Sequence, residues 1–475
     1  MSKKQPNILL IMTDHWRGDS LGRLGHPIAE TPHLDSMSTQ GVTFTSAFTP
    51  CASCIAARRS LMTGMEPNSH GMLGYQDGQP WPYRNTLAGE LAKSGYQTIN
   101  VGKTHFHPKR LHLGFEELIT PDDYDEWLDN KTGLVRSRFA HGVHGNSWMA
   151  RPNHLPEIDQ EETWLTSQAM ERIIKRDPER PFFLCLSFNG PHPPWCPPQY
   201  YFDLFMNKDI PQPIVGEWAQ RYAAQAAYPL DVNAWCGKIS PELNHRARAG
   251  YFAYLAYIDA QIGRFIEFLS RRGELNNTMI AFTADHGEML GDHNLWRKVN
   301  ACDASARIPF IIKPPSGWTT HRNTEDTSLV GLEDIMPTFL DATGVDIPDT
   351  VEGRSIMPLI KGDDIEWRSH YHHEHAPCYD PEYAYQCITS NAWKYVWNPI
   401  NGEELLFDRN NDPNELHDLV SIPEHGEVLA ELRLTLAREL QGRPENLSDG
   451  KTLRTGVVPS WREPGESPNH LNFAG

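Results

Sequence analysis

The chain has 475 residues, 39% of them hydrophobic, and a formal net charge of −18. That length exceeds one average domain and is enough to bury a core of strands, while the acidic balance disfavours non-specific nucleic-acid binding, so an anionic substrate would need a local basic pocket. The 8 cysteines are sparse and irregularly spaced, which suits reduced cytoplasmic thiols and not a disulfide framework.

Lys3 and Lys4 precede the apolar run Ile8 to Met12, which is too short for a signal segment and reads as a buried strand. No stretch approaches a membrane span. The expectation is a cytoplasmic chain without membrane association, so the Asn-x-Ser/Thr patterns at Asn130, Asn276 and Asn446 carry no glycan meaning.

Short apolar runs alternate with helical patterns over the first three quarters of the chain, which is an α/β pattern. Strands are expected at Asn7 to Thr13, Val42 to Phe48, Tyr96 to Val101, Pro181 to Phe188, Thr278 to Thr283 and Ile308 to Lys313. Thr31 and Pro32 supply a helix start that ends at Gly41; further helices are expected at Thr86 to Ser94, Trp164 to Arg176, Arg246 to Arg272 and Ile335 to Thr343. Residues 107–160 and 195–245 read as long excursions with short elements, where substrate loops could live. After about Gly362 the chain turns rich in His, Tyr and Trp, and Asn401-Gly402 between two apolar runs predicts a hairpin. The expected division is a catalytic α/β unit over 1–362, a smaller antiparallel α+β unit over 363–440, and an extended tail over 441–475, laid on a surface such as a neighbouring copy.

The most informative run is Cys54-Ile55-Ala56-Ala57-Arg58-Arg59-Ser60-Leu61-Met62-Thr63-Gly64. A cysteine opens a short helix, whose free N–H groups favour negative charge, and Arg58 follows one turn later. A Cys-x5-Arg phosphatase loop would need an arginine where Ser60 stands, and no second Cys-x2-Cys pair completes a zinc site with Cys51 and Cys54. Polar clusters also fall at the carboxyl ends of four predicted strands, where open α/β sheets bind ligands: Asp14 and His15, Lys103 and His105, His192, and Asp285 and His286. Asp14 and Asp285 offer hard oxygens to a divalent cation, with His286 as a further contact and His15 either ligand or spectator. Lys103, Lys298 and Arg58 would crowd positive charge around a tetrahedral oxyanion, and His105 and His192 suit general base and acid.

Together these motifs resemble the type I, formylglycine-dependent sulfatases of the alkaline phosphatase superfamily, over Asn7 to about Leu419. Cys54, Ala56 and Arg58 match the Cys-x-Pro/Ala-x-Arg motif, with Ala56 where proline is commoner. Gly102 to His105, Pro191 to Pro194, Asp285 to Glu288 with Lys298, and the Leu405 to Asp408 hairpin match further elements. The resemblance implies a large, mostly parallel sheet sandwiched by helices. It also implies a maturation enzyme that converts Cys54 to formylglycine. Ca2+, or else Mn2+ or Mg2+, would be held by Asp14, His15, residue 54, Asp285 and His286. In the implied mechanism one hydroxyl of the hydrated aldehyde attacks sulfur, His192 protonates the departing alcohol, and His105 deprotonates the second hydroxyl to expel sulfate. The expected substrate is a sulfate ester of a small molecule or oligosaccharide, a carbohydrate first, with Trp195, His373 and His375 as candidate sugar contacts. Two alternatives stand beside this: a phosphonate or phosphate ester hydrolase of the same superfamily, disfavoured by the Lys103/His105 pair, and a catalytically silent metal- or glycan-binding protein.

Overall fold

The computed structural model describes residues 5–225 and 235–461; Lys3, Lys4 and the tail beyond 461 lie outside these. In chain order the strands are β1 (Asn7–Thr13), β2 (Val42–Phe44), β3 (Ala47–Phe48), β4 (Gln97–Gly102), β5 (Glu117–Ile119), β6 (Phe182–Ser187), β7 (Thr278–Ala284), β8 (Phe310–Lys313), β9 (Thr324–Asp326), β10 (Val330–Gly331), β11 (Tyr371–His375), β12 (Tyr385–Thr389), β13 (Trp393–Trp397) and β14 (Glu404–Asp408). An 8-stranded sheet runs β5-β4-β6-β1-β7-β8-β2-β9. It is parallel from β5 through β7, turns antiparallel at β8, and closes on a parallel β9.

β1 lies at the centre, and all of its residues are buried, because helices cover both faces of a parallel sheet and leave no position facing water. The 31-residue helix Pro241–Arg271 starts on Ser240, whose hydroxyl accepts from Leu243 N, with Pro241 at the first helical position. It packs on the helices Pro32–Ser38, Glu161–Lys175 and Gln199–Met206. From its buried face Asp259 accepts the backbone N–H groups of His33 and Leu34 at 3.0 and 2.9 Å, capping the Pro32–Ser38 helix from outside.

The expected single strand Val42 to Phe48 is broken. β2 stays in the large sheet, whereas β3 pairs with β10 in a separate 2-stranded sheet. That switch brings the chain across to the Cys54 segment. The excursions contain the helices Pro121–Thr132 and Gln199–Met206, and residues 226–234 of the second lie outside the described set.

The antiparallel sheet β11-β12-β13-β14 forms the small unit, and the helix Gly426–Glu439 buries Leu429, Leu432 and Leu436 against it. The small sheet is pinned to the large unit by Lys394, whose Nζ reaches the Ala301 carbonyl at 2.9 Å and the carboxylates of Asp303 and Glu415. The described part of the tail is held, not loose: Arg443 pairs with Glu374, Leu447 joins the core of the small unit, and Trp461 rests against Cys51, Ile55, Ala56 and Met72. All 8 cysteines are free thiols. No helix of the described residues is long and apolar enough to cross a membrane.

Candidate active site

Cys54 is the first residue of a 10-residue helix that ends at Thr63, with Gly64 in the left-handed region (φ 67°) as its C-cap. Ser53 stands extended before it and accepts only through its carbonyl, from Ala57 N at 2.9 Å. The first-turn N–H groups and the Cys54 side chain thus look into the same space, and every residue of the helix is buried.

The four strand-end clusters meet there because β4, β6, β1 and β7 are consecutive in the sheet. Asp14 and His15 leave β1, Asp285 and His286 leave β7, Lys103 leaves β4, and His192 follows β6. Gly102 closes β4 at φ 112°, and a Cβ there would lie 1.9 Å from the Ser187 carbonyl oxygen, so only glycine lets Lys103 turn inward. Cys54 Sγ lies 3.5 Å from Asp14 Oδ1, 3.1 Å from His286 Nε2 and 3.4 Å from Lys298 Nζ.

His286 donates Nδ1–H to the Gly287 carbonyl at 2.9 Å, which leaves the lone pair of Nε2 facing Asp14 Oδ1 at 3.4 Å and Asp285 Oδ1 at 3.6 Å. A cation placed between these atoms would satisfy them together. Asp14, His15, Cys54 and His286 offer ligand atoms within 4.8 Å of one another, all buried. The donor set of carboxylate oxygen and imidazole nitrogen fits a divalent cation, and this is a divalent-metal-binding site. Asp285 stands beside this group, its Oδ2 taken by Arg58 Nε at 2.8 Å. Arg58 also donates to the Lys103 carbonyl and Ser187 Oγ, each at 2.9 Å, while its Nη2 stays without a partner among the described residues. Arg58 therefore braces the strand ends as well as adding charge.

His15 donates Nδ1–H to Glu288 Oε2 at 2.7 Å and accepts from Lys298 Nζ at Nε2, 2.8 Å away. The carboxylate fixes the tautomer, and the ring orients Lys298. Lys103 Nζ pairs with Asp14 Oδ2. His192 sits edge-on to His15 at 4.5 Å and donates Nδ1–H to the Pro193 carbonyl at 2.7 Å, so its Nε2 is the nitrogen left to exchange a proton.

These charges set the local acidities. Burial pushes the Cys54 thiol up, but Lys298, Lys103 and His286 outweigh it and hold it well below the ordinary thiol value. Burial and Cys54 push Asp14 up, yet Lys103, His15 and His192 hold it well below the carboxylate range. Asp285 is raised by burial and by Asp14. Burial, with His15 and Lys103, drives His192 well below an ordinary histidine. The two neighbouring carboxyls are thus shifted in opposite directions, Asp14 down and Asp285 up.

A cleft of about 520 Å³ opens from Lys103 and His105 past Phe106, His107 and Lys109 to Arg138. The three expected sugar contacts lie elsewhere. Trp195 is 1% exposed, stacks edge-on with Tyr251 and donates its indole N–H to the Pro191 carbonyl. His373 is buried, lies flat against Phe48 at 5.8 Å and bonds Thr389. His375 is buried behind Gly74 and bonds the Ala376 carbonyl. Their surroundings are those of packing residues that seat the small sheet and the Pro191 loop. Positioning residues absent from the sequence-based set are Glu288, which was visible in Asp285-His286-Gly287-Glu288, and Tyr251, whose hydroxyl donates to the His15 carbonyl at 2.9 Å and for which no local pattern exists.

The family model Sulfatase matches residues 6–345, and a model described as N-sulphoglucosamine sulphohydrolase, C-terminal, matches residues 291–442. An arylsulfatase of Clostridium perfringens (strain 13 / Type A) is 39% identical over 474 residues, spanning 95% of this chain and 98% of the relative. A choline-sulfatase of Rhizobium meliloti (strain 1021) is 30% identical over 447 residues, spanning 89% and 84%. Among solved structures, a phosphonate monoester hydrolase of Agrobacterium radiobacter superposes with a TM-score of 0.78 at 25% identity, spanning 97% of this chain and all of that one.

Proposed function

The chain belongs to the sulfatase family and hydrolyses sulfate esters, and from that premise we propose that its substrate is a carbohydrate sulfate of one or two sugar units and its nucleophile a formylglycine made from Cys54. The observation that carries the proposal is the convergence on one sulfur atom of Asp14 Oδ1, His286 Nε2 and Lys298 Nζ at 3.1 to 3.5 Å. That sulfur marks where the attacking oxygen of the hydrated aldehyde would stand.

Asp14, Asp285 and His286, with residue 54 itself, would hold the cation, Ca2+ in the first place. Bound there, it would supply positive charge to the attacking oxygen and to the sulfuryl oxygens. One hydroxyl of the diol, its proton given up to solvent, attacks sulfur, and the S–O bond to the alcohol breaks. His192, whose Nε2 carries no proton while the ring is neutral, takes one up there as the anionic ester binds and delivers it to the departing oxygen. His105 takes the proton of the second hydroxyl, the C–O bond to sulfate breaks, and the aldehyde re-forms and is rehydrated by water. Lys103 and Lys298 stabilise the charge on the sulfuryl oxygens throughout.

The cleft supports a sugar: about 520 Å³ holds one or two rings, and it mixes Phe106 and Pro121 with Lys103, Lys109 and Asn189. The eight free thiols support a reducing, cytoplasmic setting, in which a small ester suits better than a polymer. The maturation enzyme is the partner that the nucleophile requires. The similarity to a phosphonate monoester hydrolase favours a second reading, hydrolysis of phosphonate or phosphate esters in the same site.

Mass spectrometry of the native protein tests the nucleophile: conversion makes the peptide carrying residue 54 about 18 Da lighter than its thiol form. An unmodified thiol throughout would leave a silent binding protein. Sulfate release from a panel of sulfated sugars, choline sulfate and aryl sulfates tests the substrate, with phenyl phosphonate as control. Faster turnover of the phosphonate would reverse the order of the two readings.

A further inference from the structure

We propose that Arg297 anchors an anion subsite beside the reaction centre, which takes a second oxyanion of the substrate, a carboxylate or a further sulfate group on the sugar that carries the scissile ester. The proposal rests on the carbohydrate-sulfate assignment above.

Six arginines among the described residues are more than nine-tenths buried: Arg17, Arg58, Arg59, Arg248, Arg297 and Arg443. Arg17 and Arg248 pair with Asp292, Arg58 with Asp285, and Arg443 with Glu374, while Arg59 donates to the Gln79 and Pro80 carbonyls. Arg297 differs. It is 8% exposed, and its Nε and Nη2 have no hydrogen-bond partner among the described residues. Its guanidinium only lies over the Tyr379 ring, 5.5 Å from the centroid. Cation–π attraction offsets part of the cost of burying a charge, but it leaves the N–H fork unspent, and that fork matches a carboxylate or sulfate edge.

The position next to Lys298 makes the fork useful. The Arg297 backbone is clamped on both sides: its N–H donates to Glu288 and its carbonyl accepts from Met289 N at 2.7 Å. The same Glu288 fixes His15, which orients Lys298. Lys298 is committed to the reacting centre through Cys54 Sγ and His15 Nε2. Arg297 turns instead to Tyr379, in the connection from β11 to β12, and Trp235 stacks on the far partner of that pair at 6.0 Å. The anion it receives is therefore not the scissile sulfate but a group a short distance away on the same substrate.

Two matched pairs of substrates test the subsite: galactose 2-sulfate against galacturonate 2-sulfate, which differ in a carboxylate, and N-acetylglucosamine 6-sulfate against N-sulfoglucosamine 6-sulfate, which differ in a second sulfate. The readout is the ratio of kcat/KM within each pair, so any general effect of a substitution cancels. The wild-type protein should prefer the anionic member of one pair by roughly tenfold to a hundredfold, the range of charge-assisted hydrogen bonds. The pair in which the preference appears identifies the group. Arg297→Met should erase the preference, and Arg297→Lys should restore part of it. Because the Arg297 side chain forms no hydrogen bond among the described residues, Arg297→Met should melt no lower than the wild type. If none of the four esters releases sulfate, the carbohydrate assignment falls and this subsite with it. If sulfate is released without preference, or the preference survives in Arg297→Met, only the subsite is overturned. A lower melting temperature with an unchanged ratio would make Arg297 a packing residue.

Discussion

The wall behind Cys54 and the rim of the cleft in front of it are built in opposite ways. Residues 278–302 run from β7 through an irregular loop, yet every one of them is buried. Except for Arg297, their charged groups are committed before any substrate arrives: Asp285 to Arg58, Glu288 to His15, Lys298 to His15 and Cys54. At the rim, the Lys109 side chain is 77% exposed and meets Asp122 at 3.4 Å, and Arg110 is half exposed against Asp123. Wall charges in low dielectric act strongly and pay no reorganisation during the reaction. Rim charges are screened and weakly held, and so are free to turn toward a ligand. The reaction is a property of the wall, and the choice of leaving group a property of the rim and its neighbours.

The sharpest break of that contrast is Cys54→Ala. Removing a nucleophile costs roughly 10⁶-fold in kcat, and sulfate release within tenfold of wild type would refute the role. Next comes His192→Ala, expected to lose roughly 10² to 10⁴-fold on a sugar sulfate. The loss should be much smaller on 4-nitrophenyl sulfate, whose leaving group departs without a proton; equal losses on both would show that His192 is not the acid. Chelation followed by dialysis should remove activity that Ca2+ restores, and full activity in the chelated protein would exclude a required cation.

The foundation of the wall is tested at Glu374. Its backbone N donates to the Pro50 carbonyl at 3.0 Å, in the lead-in to the nucleophile, and its carboxylate takes Arg443 at 3.0 and 2.6 Å. Breaking a buried pair by removing one partner costs roughly 3–5 kcal/mol, so Glu374→Gln should lower the melting temperature while the folded fraction keeps its KM. Burial pushes this carboxyl up, but Arg443 and His372 bring it down from the usual 4.5 to about 2. A depressed acid lends its stability above the unfolded pKa and loses it as pH falls toward the folded one. The wild type should thus lose stability between about pH 4.5 and 2 more steeply than Glu374→Gln, as acid titration of the melting temperature would show. The smallest effect is expected at the rim: Lys109→Ala should raise KM by less than about fivefold, the worth of an exposed pair, with kcat unchanged.

The same contrast explains what could be seen in the sequence. β1 was legible to its last residue, because a strand covered on both faces is a continuous apolar run. The pairs after β1, β4 and β7 were legible because chemistry at strand ends follows from the α/β pattern. The break between β2 and β3 was not, since Thr45 and Ser46 look like any strand residues and only β10 draws the chain aside. His373 and His375 on β11 face inward, and alternation alone cannot tell an inner face that packs from one that binds. Trp195 was an aromatic in a loop, and only its partners Tyr251 and Trp296 make it core. Arg297 carries no signal in the sequence, because what sets it apart is the absence of a partner.

The position of β1 between β6 and β7 has a consequence for time as well as space. A ribosome releases Asp14 and Cys54 early, but the strand that completes the central sheet arrives only with Thr278–Ala284, Lys298 later still, and Trp461, which lies behind the helix of the nucleophile, near the end. Pairings so distant along the chain are slow to close. For most of its synthesis the Cys54 segment therefore faces solvent, and in the finished fold its thiol is 1% exposed. Whatever enzyme is to act on that thiol has its opportunity before the fold closes over it.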